Sequence, residues 1–472
     1  ITTVCYLNEP EFDTLVNREY FTPLYRDYIK EKYSGDIAYV NKIYSADYED
    51  FDKLEMPKEY SSTAYYYDFK QFNDSIMIDF QKFITQNAKR YAPDLKIHYK
   101  TMVSNGYSEM KSFMGMGDVI LEETSELSDI FGCDAYACYT RANQPVQGKM
   151  MAYRYMMSVA DKPIINSEDH IMPDNFKNFD RKIAQFNAAD IWNGAVYGRS
   201  QSILWLYART YNTASYRYCA LLQRPDCISK IGKASLDLQR LSNEVSALLN
   251  KKSDAAILFS EASRMYNLAS MNTAYNIFTS LLNDGKKAEF ISEKQIEKAD
   301  DYKILFIPGS THITDKTLEK IYSYSQNGGK VVIFNDESLK YNEQNILHDK
   351  NYVDEIYKNA SVYKTETADT GIVLLSPSYE DFADIIRKSC NDAGLSEVKI
   401  INSENGEIVK SAGIEMCEYD GGYIVNLTDY DWTDKNVSLF MDGKKIDKGY
   451  DLINCEEIKD GFALKGYTPR LI

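Results

Sequence analysis

Along the first 250 or so residues, apolar positions gather into short unbroken runs separated by long stretches of helical period. The runs are Thr3–Leu7, Leu95–Met102, Cys133–Tyr139, Pro163–Ser167 and Ser202–Tyr207. Short unbroken runs, rather than strict alternation, mark strands covered on both faces, which is the condition of a parallel sheet. Between the first two runs, apolar residues at Phe69, Phe72, Ile76, Phe80, Phe83 and Ile84 follow the 3.6-residue period and predict a helix, stopped by Ala92-Pro93-Asp94. Five strands joined by long helical crossovers predict a parallel α/β layout. One further helix, Ile228 to Leu249, closes this part, and Lys251-Lys252-Ser253-Asp254 is the expected boundary.

A second α/β unit follows. Ala255–Phe259, Ala288–Ile291, Ile304–Pro308 and Val331–Phe334 read as strands, and Thr273–Leu282 and Thr317–Tyr324 as helices ended by Asp284-Gly285 and Gly328-Gly329. The outline is that of an open sheet with helices on both faces, flavodoxin-like or amidotransferase-like. Pro308-Gly309-Ser310 is the one candidate phosphate turn, with no GxGxxG or Walker pattern, and no Cys sits at a strand–helix elbow, so a scaffolding role is expected. The pattern then changes. Tyr423–Leu427, Val437–Phe440 and Phe462–Leu464 are short strands, with Asp420-Gly421, Asp442-Gly443 and Asp460-Gly461 as turn signals. The expected division is 1–253, 254–396 and 397–472, the last an all-β cap.

Composition narrows the function classes. With 54 Lys+Arg against 70 Asp+Glu in 472 residues the net charge is −16, which argues against nucleic acid or an anionic membrane surface as partner. No run approaches the roughly 20 apolar residues of a membrane span, and a cytoplasmic location is expected. The eight cysteines form no CxxC pair and are read as free thiols; the four histidines lie far apart, so no metal and no cofactor are expected. The 39 tyrosines offer flat apolar faces with polar tips, which suit carbohydrate. Because the chain opens on a buried-strand pattern, it is read as a piece of a longer chain whose upstream residues are missing. On that reading the piece expressed alone is expected to lack activity.

Function in a parallel barrel sits at the C-terminal ends of the strands. The first run ends in Leu7-Asn8-Glu9-Pro10 and the fourth in Asn166-Ser167-Glu168-Asp169-His170, so each delivers a glutamate to one rim. Two rim carboxylates are what a retaining glycosidase requires, one protonating the leaving oxygen and one attacking the anomeric carbon, about 5–5.5 Å apart. The alternative is that both are surface acids, of which an acidic chain has many.

Asn8-Glu9-Pro10 after an apolar strand resembles the acid/base motif of the clan A glycoside hydrolases, which are (β/α)8 barrels. Glu168 lies three strands after Glu9, the offset between acid/base and nucleophile in that clan. Counted this way, the five runs are strands four to eight. The order of barrel, α/β unit and β cap is similar to glycoside hydrolase family 42, best known for β-galactosidases. Ser202–Arg209 looks like that family's strand-eight segment, and Asp254–Tyr266 (DAAILFSEASRMY) like the opening of its trimerisation domain. Tyr302–Pro308, Asn327–Phe334 and Gly466–Leu471 look like later strands of the same scaffold. An aromatic usually follows the family's Asn-Glu, so Pro10 departs from the pattern, and the metal-binding cysteine cluster of some members is absent.

The resemblance implies a retaining exo-β-glycosidase acting on a β-linked oligosaccharide or glycoside, β-galactosidase-like and a homotrimer. A β-mannosidase on the same scaffold and a non-catalytic carbohydrate-binding protein are the alternatives. It also implies roles. Glu9 is the general acid/base, with a pKa raised by its pocket; Glu168 is the nucleophile, held ionised by hydrogen bonds; Asn8 contacts the sugar 2-OH; Tyr139 donates to Glu168; Trp205 stacks on the sugar face. His170 is expected to be structural and Tyr65-Tyr66-Tyr67 to lie in a solvent-facing loop.

Overall fold

A computed structural model of the chain describes residues 3–10, 12–59, 61–103, 121–137, 146–172, 179–208, 220–267, 269–367, 373–375 and 382–472. Its first sheet is made of β1 (Thr3–Asn8), β2 (Lys96–Thr101), β3 (Phe131–Cys133), β4 (Ile164–His170) and β5 (Arg199–Trp205), in that spatial order. Every neighbouring pair is parallel. The sequence expectation of five parallel strands is met, with shifts. β3 lies earlier than the run Cys133–Tyr139, and β5 begins and ends earlier than Ser202–Tyr207, so Trp205 is its last residue. Tyr139 lies outside the described residues.

The chain between β1 and β2 does more than cross over. It forms α1 (Arg18–Lys32), α2 (Ile37–Tyr44) and the 28-residue α3 (Ala64–Tyr91). The first turns of α3 pack with α1 and α2 around Tyr25, Ile29, Val40, Leu54, Met56, Phe69 and Phe72. Much of the tyrosine excess is used here: the buried Asp68 accepts hydrogen bonds from Tyr33, Tyr44 and Lys32 at 2.6–2.7 Å. Tyr65, Tyr66 and Tyr67 are helical, not a loop, and Tyr67 is buried and stacked on Tyr266. Phe80 and Phe83, expected on the core stripe of α3, are exposed.

Helices α4 (Leu121–Glu126), α5 (Val146–Val159) and α6 (Lys182–Val196) precede β3, β4 and β5. The predicted single helix Ile228–Leu249 is two, α7 (Pro225–Arg240) and α8 (Ser242–Asn250), broken at Leu241. Proline at the first turn of α7 fits, because its missing N–H has no partner there in any case.

The second sheet contains β6 (Ala255–Phe259), β7 (Ala288–Ser292), β8 (Ile304–Pro308), β9 (Lys330–Phe334) and β10 (Ser361–Tyr363), all parallel, in the order β10-β9-β8-β6-β7. Around it lie α9 (Glu261–Tyr266), α10 (Ala269–Asn283), α11 (Asp315–Gln326), α12 (Lys350–Asn359) and α13 (Phe382–Asp392), with a hairpin of β11 (Thr365–Thr367) and β12 (Val373–Leu375).

The β-rich C-terminal region starts at β13 (Val398–Asn402), followed by β14 (Ala412–Tyr419), β15 (Gly422–Asp429) and β16 (Lys435–Met441). The short strands β17 (Lys444–Lys445), β18 (Lys448–Asp451), β19 (Glu456–Lys459), β20 (Phe462–Leu464) and β21 (Arg470–Leu471) complete it. Asp420-Gly421 and Asp442-Gly443 are two-residue hairpin loops, with φ of 49° and 76° and of 47° and 76°. That double left-handed conformation matches the strand twist and favours Asp-Gly.

The fold is therefore a partial TIM-barrel-like α/β sheet, a second parallel sheet and a β-rich region. One apolar cluster runs through all three, from Phe131 and Trp192 through Phe259 and Phe278 to Cys417 and Leu471. Polar contacts fix the junction: Arg154 on α5 donates to Glu415 on β14 at 2.8 Å, and the Trp192 indole on α6 donates to Asn426 on β15 at 2.7 Å. Of the described cysteines, Cys133, Cys227, Cys390 and Cys417 are buried free thiols, whereas Cys5 and Cys455 are exposed. Among the described residues no helix is long and apolar enough to cross a membrane.

Gly132 at the centre of β3 tests how tightly this sheet is closed. A Cβ there would meet the Tyr99 carbonyl oxygen at 2.5 Å and the His98 ring at 2.6 Å. Gly132→Ala is expected to destabilise the first sheet by about 3 kcal/mol, because the backbone neighbour cannot move aside. Hydrogen exchange of the β2 and β3 amides is the measurement; unchanged protection would show that the sheet has slack.

Candidate active site

β1 ends at Asn8, and the next residue turns the chain. Glu9 has φ of 47°, a left-handed conformation uncommon for a residue with a Cβ, and its N–H donates to the Lys100 carbonyl at 2.8 Å. Such strain persists where the surroundings hold it and is frequent at functional sites. The register of β1 against β2 slips between Cys5 and Leu7, just ahead of this turn. β4 slips likewise against β5, between Asn166 and Asp169. Asn166 and Asp169, three apart, thereby both reach the helix side: Asn166 donates to the Tyr153 hydroxyl, and Asp169 accepts from Lys149, both on α5. Glu168 and His170 are left facing the other side. Irregularities of this kind re-aim side chains beside active sites.

The two glutamates meet at one cation. The Lys100 ammonium, from β2, is bonded to Glu9 Oε1 at 3.0 Å and to Glu168 Oε2. With both carboxylates on one nitrogen, their nearest oxygens lie within about 6 Å of each other, twice an ordinary hydrogen-bond length. Lys100 is 2% exposed, while both glutamates stay partly open. Burial alone would lower the Lys100 pKa, but its two glutamate partners raise it above the ordinary value. For Glu9, burial works against ionisation; the hydrogen bond and charge of Lys100 outweigh it, and the carboxyl is held below its usual range. The expectation of a raised Glu9 pKa is thus corrected: the lysine that lowers it lies on the neighbouring strand β2, 91 residues along the chain.

A third carboxyl adjoins the pair. Asp134, the first residue past β3, is buried, accepts the Val103 N–H at 3.0 Å and shares a hydrogen bond with Glu9. Burial pushes it up to about 7, with Glu9 adding to the rise and the Val103 amide and Lys100 opposing it. On the other flank, His170 Nε2 lies 3.1 Å from Glu168 Oε1, and its ring packs 5.6 Å from the Trp205 ring and 5.7 Å from that of Tyr136. Asn8 is exposed at the rim and Trp205 is 36% exposed. Of the residues expected at the site, Glu9, Glu168, Asn8 and Trp205 stand at the C-terminal ends of their strands. His170, expected to be structural, contacts Glu168 directly.

Lys100 and Asp134 were missed. Lys100 interrupts an apolar run at the same parity as His98, so a charged residue on the inner side of a strand was the available signal. Asp134 was hidden by placing β3 too late; Phe131-Gly132-Cys133-Asp134 is itself an apolar run ended by an acid.

Behind β4 lies a buried polar layer. Lys149 Nζ contacts Asp169 at 2.6 Å and Asp190 on α6 at 2.8 and 3.0 Å. Arg199 on β5 and the Ser202 hydroxyl each donate to Asp169 at 2.6 Å. Two cations face two carboxylates with no net charge. The layer ties β4 and β5 to α5 and α6 directly beneath Glu168. Among the described residues no group of three or more His, Cys, Asp or Glu could hold a metal ion.

Residues 7–182 match the model of glycoside hydrolase family 42, described as β-galactosidase. This segment begins just before Glu9 and ends just beyond β4, so it contains both glutamates. The chain is family 42-like. Solved structures agree with the fold of this family 42-like chain. The apo exo-carrageenase of family 42 from Bacteroides ovatus is 18% identical with a TM-score of 0.76, covering 96% of this chain and 62% of its own. The family 42 β-galactosidase Gan42B from G. stearothermophilus is 14% identical, with a TM-score of 0.74 over 98% of this chain and 77% of its own. The β-galactosidase from Bacillus circulans sp. alkalophilus is 13% identical, with a TM-score of 0.70 over 95% and 76%. The chain thus spans less than two thirds of the exo-carrageenase. No curated protein matches it by sequence.

Proposed function

We propose that this family 42-like chain carries the catalytic pair of a retaining exo-β-glycosidase, β-galactosidase-like in substrate. The observation that carries the reading is the pair of rim glutamates on one ammonium. A separation within about 6 Å suits direct attack by one carboxylate and is too short to seat a water between them, as inversion needs. Glu168 is the nucleophile: one oxygen meets the Lys100 ammonium and the other lies 3.1 Å from His170 Nε2, contacts that hold the carboxyl group in place. Glu9 is the acid that protonates the glycosidic oxygen and then the base that takes a proton from water. Asn8, beside Glu9 on the rim, is assigned the sugar 2-OH, and Trp205 the sugar face, where an aromatic ring packs against C–H bonds.

The same reading divides the chain at 1–253, 254–396 and 397–472 and makes the protein a homotrimer. The second sheet supports a flavodoxin-like scaffold, because its order, numbered within the unit, is 5-4-3-1-2. The likeness to an exo-carrageenase makes carrageenan oligosaccharides a second substrate to assay.

The test is the anomer first released from an aryl β-galactoside, followed by NMR before mutarotation. The β-anomer is expected. First appearance of the α-anomer would overturn the retaining mechanism, and no hydrolysis of either substrate by the full-length protein would overturn the enzyme reading.

A further inference from the structure

A general acid must carry its proton when the glycosidic bond breaks, yet Glu9 faces a buried ammonium at 3.0 Å in the free protein. Lys100 therefore favours the Glu9 anion at neutral pH. The carboxyl that shares a hydrogen bond with Glu9 is that of Asp134, 5% exposed, with Oδ1 fixed by the Val103 N–H at 3.0 Å. Two carboxyls hydrogen-bond to each other only when one of them holds a proton, since two anions in contact repel. The groups that bear on this pair are Lys100 from β2, Glu9 from β1, His170 from β4 and the Val103 amide. Lys100 bonds Glu9 and not Asp134, so the anion rests on Glu9 and the proton on Asp134.

We propose that Asp134 stores the proton that Glu9 delivers to the leaving group, a positioning role exerted through Glu9. The inference rests on the glycosidase reading of the same site. In the first half-reaction the Asp134 proton crosses the shared hydrogen bond to Glu9. Glu9 then gives it to the glycosidic oxygen as the C1–O bond breaks and a Glu168 oxygen bonds C1. The aglycone leaves as a neutral alcohol, and Glu9 and Asp134 are both anionic beside Lys100. In the second half a water oxygen bonds C1 as the Glu168–C1 bond breaks; Glu9 takes the water proton and returns it to Asp134. One water is consumed and every group recovers its starting state, with Lys100 protonated throughout. Burial and the adjacent Glu9 charge, which push Asp134 up to about 7, are consistent with a proton held there at neutral pH.

Asp134→Asn is the direct test, because an amide can still donate to Glu9 but has no proton to transfer. Hydrolysis of alkyl β-galactosides, whose leaving groups need protonation, is expected to fall about 10²–10³-fold. Aryl galactosides with acidic leaving groups are expected to fall less than about tenfold, because their departure needs little protonation. The basic limb of the pH profile is expected to move to lower pH, since Glu9 alone then holds the proton. A second measurement needs no turnover: carbon-13 NMR of the whole protein labelled at its Asp carboxyls. One signal is expected to titrate near 7, to vanish in Asp134→Asn and to move to lower pH in Glu9→Gln, where the neighbouring negative charge is gone. No Asp titrating in that range overturns the proposal, as does an Asp134→Asn variant in which both substrate classes fall equally and the basic limb stays in place. Absence of hydrolysis by the unaltered full-length protein would instead remove the glycosidase reading, leaving the shared proton measurable on its own.

Discussion

In the full-length protein, Glu168→Ala is expected to lower turnover on the order of 10⁴-fold or more, the scale of loss when a covalent nucleophile is removed. Azide should then restore hydrolysis of activated aryl glycosides, with a glycosyl azide of inverted configuration as product. The physical reason is space: alanine leaves a gap opposite the leaving group, and a small anion there attacks C1 once, without the second displacement that restores configuration. Glu9→Ala should behave differently, retaining most of its rate on leaving groups that depart without protonation and losing it on alkyl glycosides. Product analysis by NMR and rates across a leaving-group series separate the two. If azide rescues the Glu9 variant with inversion and not the Glu168 variant, the roles must be exchanged. If both variants keep full activity, neither residue belongs to the machinery.

The second large effect concerns stability. Lys149 is fully buried between Asp169 and Asp190, and both of its partners are fully buried as well. Lys149→Met keeps the volume and removes the charge, leaving Arg199 to face two carboxylates. Breaking a buried ion pair from one side costs about 3–5 kcal/mol, because the remaining charge has lost its partner but not its burial. The loss should depend on pH. In the unaltered protein burial raises Asp190 above its ordinary value, while burial of Asp169 is outweighed by Lys149 and Arg199, which hold it below. Without the ammonium both carboxyls shift upward. A carboxyl whose folded pKa exceeds its unfolded one adds stability at low pH and loses it as pH rises through the folded value. The variant's deficit is therefore expected to be larger at about pH 8 than at about pH 5, measured by chemical denaturation at each. An equal deficit at both would mean that the two aspartates do not titrate with the loss of Lys149. Because the layer underlies β4, the variant should also lose activity through misplacement of Glu168.

The sequence by itself determined the elements and the rim. Buried parallel strands need unbroken apolar runs, and that local rule located four strands of the first sheet and four of the five in the second, while placing β3 too late. Asp-Gly located two hairpins because only a few residues tolerate successive positive φ. Glu9 and Glu168 were legible as well, since each follows an apolar run and strand ends share one rim. The helical insertion between β1 and α3 escaped, because its core is built largely from tyrosines, and a tyrosine in sequence reads equally well as surface or interior. Only the tertiary structure decided the electrostatics. Lys100 lies 91 residues from Glu9 and 68 from Glu168, and Lys149 meets Asp169 and Asp190 from a different helix. Charge interactions depend on distance in space and on the exclusion of water, neither of which is encoded in local periodicity. That is why both glutamates were legible in the sequence, whereas only the fold brought them onto one ammonium and set the carboxyl of Asp134 against Glu9.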